Sequence, residues 1–300
     1  MFSRLVFRRA PALVLLLLTG WLAASPAVGA DAAPDLNAVL QSASEAFRAG
    51  RADESLRLLD KAITAHPADP RPRLLRARAY DTLGRYDEAV ADCDVGLAQK
   101  SDLTPSLWQE RGELNFKRAR FTESVADFDR YLALEPNRRP EHWQRGLSLY
   151  YAGRFKDGQA QFELHQTVNS QDVENAVWHF LCVARTSGVT NARASLIKIT
   201  GDTRVPMREV HNLFAGTGTA EQVLASAAAA RPGQRRSSMN LLYAHLYLGL
   251  YYEALGDTAL AKKHLYEAAD RYAGADYMSV TAKVHARLYR EGRLPVRPAK

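Results

Sequence analysis

RARAYDTLGRYDEAVADCDVGL, residues 76–97, is followed one period later by QERGELNFKRARFTESVADFDRYLALEPN, residues 109–137. Both segments belong to a series of four that starts near Leu36, Pro70, Pro105 and Arg139, at intervals of 34 or 35 residues. A small residue stands at the eighth place of each unit (Ala43, Ala77, Gly112, Gly146), and three of the four have glycine at the fifteenth (Gly50, Gly84, Gly153). The seventeenth place holds Ala52, Tyr86, Phe121 or Phe155, the twentieth a small residue (Ser55, Ala89, Ser124, Gly158), and the twenty-fourth Leu59, Cys93, Phe128 or Phe162.

A helical hairpin accounts for that spacing. The glycine ends the first helix in a left-handed cap, and the small residues at the eighth and twentieth places let the two helices touch closely. One hairpin cannot bury its apolar face alone, so successive hairpins stack. The pattern resembles the tetratricopeptide repeat, which implies an all-α, right-handed superhelix whose concave face binds protein or peptide partners. A late copy, LLYAHLYLGLYYEALGDTALAKKHLYEAADRY, places Gly249, Tyr252, Gly256, Ala261, Leu265 and Ala268 at the matching positions.

The expected organisation is four repeats (36–69, 70–104, 105–138, 139–171), degenerate hairpins over 172–236, a last repeat over 237–272, a helix over 273–291 that caps the open end, and a basic tail, 292–300. Within the degenerate region, periodicity and the breakers GDTRVP and GTG predict hairpins over 172–200 and 206–230. The GTGT at 216–219 reads as a turn with Thr219 as N-cap, since neither a strand nor a lysine flanks it as a phosphate loop requires. The order of four repeats, an irregular middle and a final YLGLYYEALGD repeat is similar to the layout of the bacterial envelope family of new lipoprotein I, an all-helical adaptor that docks envelope enzymes. A lipidated cysteine would follow Leu22-Ala23-Ala24, where this chain has Ser25.

Composition sets further bounds. The 300 residues are 47% hydrophobic and 24% charged, ordinary for a globular chain. Arg4, Arg8 and Arg9 precede an apolar run from about Pro11 to Ala24 and small residues near Ala27 to Ala30, the build of a secretory leader. The run is too short for a stable membrane span. Export to the periplasm or medium is therefore expected, with a mature chain starting near Ala30 or Asp31. Its formal charge falls from +7 to about +4 with the three arginines gone, which gives no reason to expect nucleic acid.

Two features invite chemistry. VWHFLCVARTSG, 177–188, sets His179 three residues before Cys182 and Arg185 three after it. A histidine one helical turn from a cysteine can lower its thiol pKa, yet the surrounding residues are apolar nearly all round the helix, as for a buried structural thiol. Cys93 takes a core place in the repeat. The eight histidines show no pair at i, i+4 and no metal-ligand motif, so neither a metal nor another cofactor is expected; convergence of His179, His211 and His245 is the one three-dimensional alternative. An enzyme using His179, Cys182, Arg185, Glu209 or His211 in the 172–236 region is the rival to a non-catalytic binding module, and self-association into a homodimer is a third reading.

The resemblance also points to a groove, lined by defined places of each unit's first helix. Here these supply Arg78, Asp81 and Thr82, then Gln109, Glu113, Phe116 and Lys117, then Trp143, Leu147, Tyr150 and Tyr151. Charges leading into rings suit an extended peptide. The alternative is that Trp143, Leu147 and Tyr151 pack against the irregular hairpins, folded into the groove.

Overall fold

A computed structural model describes residues 35–229 and 235–293. The expected leader and nearly all of the basic tail lie outside the described residues. Four hairpins come first: α1 (Leu36–Arg48) with α2 (Ala52–Ala65), α3 (Arg71–Thr82) with α4 (Tyr86–Ala98), α5 (Thr104–Lys117) with α6 (Phe121–Leu134), and α7 (Trp143–Tyr151) with α8 (Phe155–Gln166). The chain continues through α9 (Val173–Ala194), α10 (Met207–Ala215), α11 (Ala220–Ala228), α12 (Arg235–Ala254), α13 (Thr258–Glu267) and α14 (Tyr277–Arg290). Each helix packs mainly on its neighbours in sequence, so the fold is an all-α solenoid of stacked hairpins.

The small-residue places explain the close approach. A Cβ added at Gly112 would come 2.5 Å from the Phe128 ring, and at Gly146 2.7 Å from that of Phe162. The eighth and twenty-fourth places thus touch directly, backbone against ring. The fifteenth place keeps its left-handed backbone even without glycine: Ala119 has φ +56°, a conformation costing an L-residue roughly 1–2 kcal/mol.

A second periodic device ties the hairpins together. The seventh place of successive units holds Arg76, Arg111 and Arg145. Each reaches back to the second helix of the preceding unit, at Asp60 (2.5 Å), Asp94 (2.5 Å) and Asp129 (2.7 Å). Each also reaches the second helix of its own unit, at Asp92 (2.6 Å), Asp127 (2.6 Å) and Gln161 (3.1 Å). His179 continues the series one period on, with Nε2 3.2 Å from Glu163 of α8. Asp127 is buried and also accepts from Asn115, so Arg111→Ala strands a carboxylate inside the stack. With Arg111 itself partly solvated, the expected loss is about 2 kcal/mol, read from the chemical-unfolding midpoint.

The degenerate region departs from the expectation in one place. Over 172–200 the two expected helices are uneven: the first ends at Gly188, where φ +84° breaks the helix, and the second runs only to Ala194. The second hairpin forms as α10 and α11, joined by left-handed Gly216 and a capping box between Thr219 and Gln222. The helix at 277–290 was expected to cap the open end. It packs on α13 and on the turn Ala268–Tyr272 that ends the last repeat, and it also lies against the first helices of earlier units, with Tyr277 stacked on Phe116 (ring centroids 5.5 Å), Trp143 edge-on to Tyr277 (4.8 Å) and Arg287 donating to the Lys117 carbonyl (2.8 Å). Its apolar residues Met278, Ala282 and Leu288 are buried in these contacts.

Candidate functional site

The groove residues read from the sequence divide into two sets. The first is exposed at Arg78, half-buried elsewhere, and joins in a polar net. Arg78 pairs with Glu110 (3.0 Å), and Lys117 with Asp81 (2.6 Å). Gln109 bridges Glu113 (2.8 Å) and His142 (2.8 Å), while Gln144 also donates to Glu113 (2.9 Å). The second set does not face an open groove. Leu147, Tyr150 and Tyr151 are buried, Tyr150 completely, and only Trp143 keeps partial exposure. Their cover is α9 and α14: Trp178 lies edge-on to Tyr150, and Tyr151 donates or accepts at His285 Nδ1 (2.8 Å). The expectation that Phe116, Leu147, Tyr150 and Tyr151 contact a partner is therefore corrected, because α9 and α14 of the same chain occupy the place.

The same inward-facing register carries Arg185. Its guanidinium, 7% exposed, pairs with Glu253 of α12 and donates to the Tyr150 hydroxyl (3.2 Å). Glu253 also meets His285 Nε2 (2.6 Å) and the Tyr289 hydroxyl (2.7 Å), so one carboxylate joins α9, α12 and α14. Burial alone pushes the Glu253 carboxyl up, but His285, Arg185 and Tyr289 outweigh it and hold it below the usual carboxylate range.

The thiol reading loses its chemistry here. Cys182 is completely buried against Gly158, and burial drives its thiol far above the ordinary value, despite Arg185 nearby. Cys93 is buried in the second unit in the same way. The three histidines considered for convergence go to separate partners: His179 to Glu163, His211 to the Ile197 carbonyl (2.9 Å), and His245 to His264 (3.0 Å). Glu209 accepts from Ser226 (3.0 Å). Among the described residues, no group of three or more histidine, cysteine or acidic side chains is placed to hold a metal ion.

The concave feature that sequence reasoning missed is a cavity of about 420 Å³ where α7, α9 and α14 begin, lined also by residues of α8 and α12. Its walls are Trp143, Trp178, Tyr243 and Tyr277, and its acidic side chains are Glu141, Asp172, Glu174 and Asp276. Arg204, from the segment after α9, spreads over Asp172 (2.5 Å), Glu174 (2.6 Å) and Asp202 (2.7 Å). Tyr247 donates to the other Glu174 oxygen at 2.6 Å. A glutamate in the first turn of a helix looks routine in sequence, and nothing local marks the tyrosine 73 residues away that closes over it.

Burial raises the Glu174 carboxyl to about 7, against the pull of Arg204 and with the push of Asp172. The folded state therefore holds this proton more tightly than the unfolded chain. The group's contribution to stability is full below about pH 4.5 and is lost as pH rises through 7. Wild type should lose roughly 2 kcal/mol relative to Glu174→Gln between pH 5 and pH 8, measured by urea unfolding at both values.

The architecture defines a helical-repeat scaffold, and comparison names the repeat. A family model for the tetratricopeptide repeat matches residues 46–109, from the end of α1 into α5. A tetratricopeptide repeat protein from Parabacteroides merdae aligns with 83% of this chain and 98% of its own at 13% identity and TM-score 0.55. PilF of Pseudomonas aeruginosa aligns with 83% of this chain and 96% of its own at 14% identity and TM-score 0.46, and MamA of Desulfovibrio magneticus with 54% and 92% at 17% identity and TM-score 0.49. No curated protein matches the chain. Residues 46–109 thus match the tetratricopeptide repeat, and the fold as a whole is similar to that of a tetratricopeptide repeat protein. Among the described residues, no helix is long and apolar enough to cross a membrane.

Proposed function

We propose that this protein is a non-catalytic interaction scaffold of the bacterial cell envelope, exported by its leader and holding partner proteins through the surface left open beside α14. The observation that carries this reading is the division of the inner face. α14 covers the aromatic half, while Arg78 stays exposed and Asp81, Gln109, Glu113 and Lys117 stay partly exposed in a net of ion pairs and hydrogen bonds, and a separate cavity opens at the starts of α7, α9 and α14. Such a surface positions a partner by complementary charge and bound side chains, with no covalent step. The envelope setting rests on Arg4, Arg8, Arg9 and the apolar run behind them.

Affinity capture from an envelope extract tests the reading. A partner held by this face is retained by wild type and by Cys182→Ala, and lost when Arg78→Glu and Glu113→Lys are combined. Equal capture by the double variant would refute the surface assigned. Recovery of the chain uncleaved from the cytoplasm would refute export, and its mass in solution decides between monomer and homodimer.

A further inference from the structure

The cavity between the starts of α7, α9 and α14 is built unlike the rest of the inner face, and its chemistry restricts what enters. Among the described residues, Arg204 is the only lysine or arginine in its lining, and three carboxylates already engage it. Asp172 and Asp276 cap α9 and α14, accepting from the backbone amides of Glu174 (3.0 Å) and Ser279 (3.0 Å), so the positive helix ends are covered by their own acids. His165 donates Nδ1–H to the Pro140 carbonyl (2.9 Å), which turns its second nitrogen into an acceptor. Acceptors and negative charge prevail.

Two residues nine-tenths buried in the lining hold polar atoms with no partner. Asn175, 3% exposed, commits its amide nitrogen to the Phe162 carbonyl (3.1 Å) and Gln166 (3.0 Å), which leaves its oxygen unpaired. Trp178, 2% exposed, has an unpaired indole N–H, and the Tyr277 hydroxyl is a third such group. Buried polar atoms are rarely left this way without a role. The unpaired oxygen and the acids call for a donor with positive charge; the unpaired indole N–H calls for a carbonyl. Four aromatic rings around them favour a cation on an apolar stem.

A lysine or arginine within a polypeptide supplies all of these at once: a cationic head, an alkyl stem and an adjacent backbone carbonyl. We propose that the cavity is a receptor for one basic side chain, lysine or arginine, presented by an extended segment of a partner protein. This rests on the scaffold reading and specifies what the partner must carry. The head enters between Glu174, Asp276 and the Asn175 oxygen, the stem lies along Trp143 and Tyr277, and the following carbonyl accepts from the Trp178 N–H.

The full mature chain carrying Trp108→Phe is titrated with N-acetyl-lysine methylamide, N-acetyl-arginine methylamide, the neutral norleucine analogue and cadaverine, following the emission of Trp143 and Trp178. One of the two cationic peptide probes should saturate at a concentration at least about tenfold below the norleucine analogue. Cadaverine, lacking the carbonyl, should bind more weakly than that probe. Glu174→Gln and Asp276→Asn, each of which keeps a side-chain oxygen in place, should weaken the probe by about tenfold, and Glu141→Gln on the rim by much less. Equal binding of norleucine, or affinity unchanged in both carboxamide variants, overturns the proposal; equal binding of cadaverine overturns the peptide as its source. Capture of a partner that lysine peptide does not compete for and that survives Glu174→Gln and Asp276→Asn sinks the cavity assignment alone. Saturable probe binding with no partner ever recovered sinks the scaffold reading alone.

Discussion

Glu253→Ala lowers the free energy of unfolding by about 3–5 kcal/mol, among the largest effects expected of any single side chain in this fold. Three helices lean on that carboxylate. It accepts from Arg185 of α9 and meets His285 and Tyr289 of α14, and it is only 8% exposed itself. Removing it leaves the Arg185 guanidinium inside the protein without its counter-charge, which costs far more than the pair contributes net. Glu253→Gln should cost less, since an amide oxygen still accepts one of these bonds. The sign of the pH dependence separates charge from shape. With its folded pKa depressed, Glu253 contributes stability above about pH 4.5, and loses it as pH falls through the depressed value. The advantage of wild type over Glu253→Gln should therefore hold at neutral pH and shrink only in acid, as chemical unfolding across pH would read.

Ala282→Arg is the second large effect. Ala282 is completely buried in the face of α14 that meets the inner helices, and Met278 and His285 flank it one turn away on each side. An arginine there either stays unpaired in the interior or drives the helix out, and the second course costs less than burying the charge. Phe116, Tyr151 and Trp143 then lose their cover. Protease cutting between α13 and α14 should rise at least about tenfold, with a matching rise in the binding of a hydrophobic dye, while the helices of the first two units remain folded, as nearest-neighbour stacking allows. A variant that stays protected would mean that α14 is held by something other than this face.

The stretch 177–188 illustrates how far the sequence carried. Gly188 as a helix end and Cys182 as an interior thiol follow from period and composition, and the structure has both. The bond of His179 to Glu163 was also readable, because Arg76, Arg111 and Arg145 precede it at the same spacing with acids 16 or 17 residues behind each. Searching the repeat for charge as well as for small residues would have found it. Arg185 was not readable in this way: its carboxylate lies 68 residues ahead, outside any local pattern.

The candidate site shows the same division. Arg78, Asp81, Gln109, Glu113 and Lys117 lie on the first helices of their units, and the repeat alone does not say what else comes to lie against Leu147, Tyr150 and Tyr151. Periodicity in 277–290 says that Met278, Ala282 and His285 share a face needing burial, and is silent on which surface receives it. An end of the stack and the inner face both offer apolar area.

By itself, the sequence determined the repeat, because backbone conformation at Gly84 or Ala119 and ring-on-backbone contact at Gly112 are local demands, renewed every 34 or 35 residues. Only the tertiary structure decided that α14 fills the aromatic groove, that Glu253 gathers Arg185, His285 and Tyr289, and that Tyr247 closes over Glu174 beside an acidic cavity. Those pairings join residues 32 to 170 positions apart, and their energy comes from taking charge and ring surface out of water together, which no single segment can do alone.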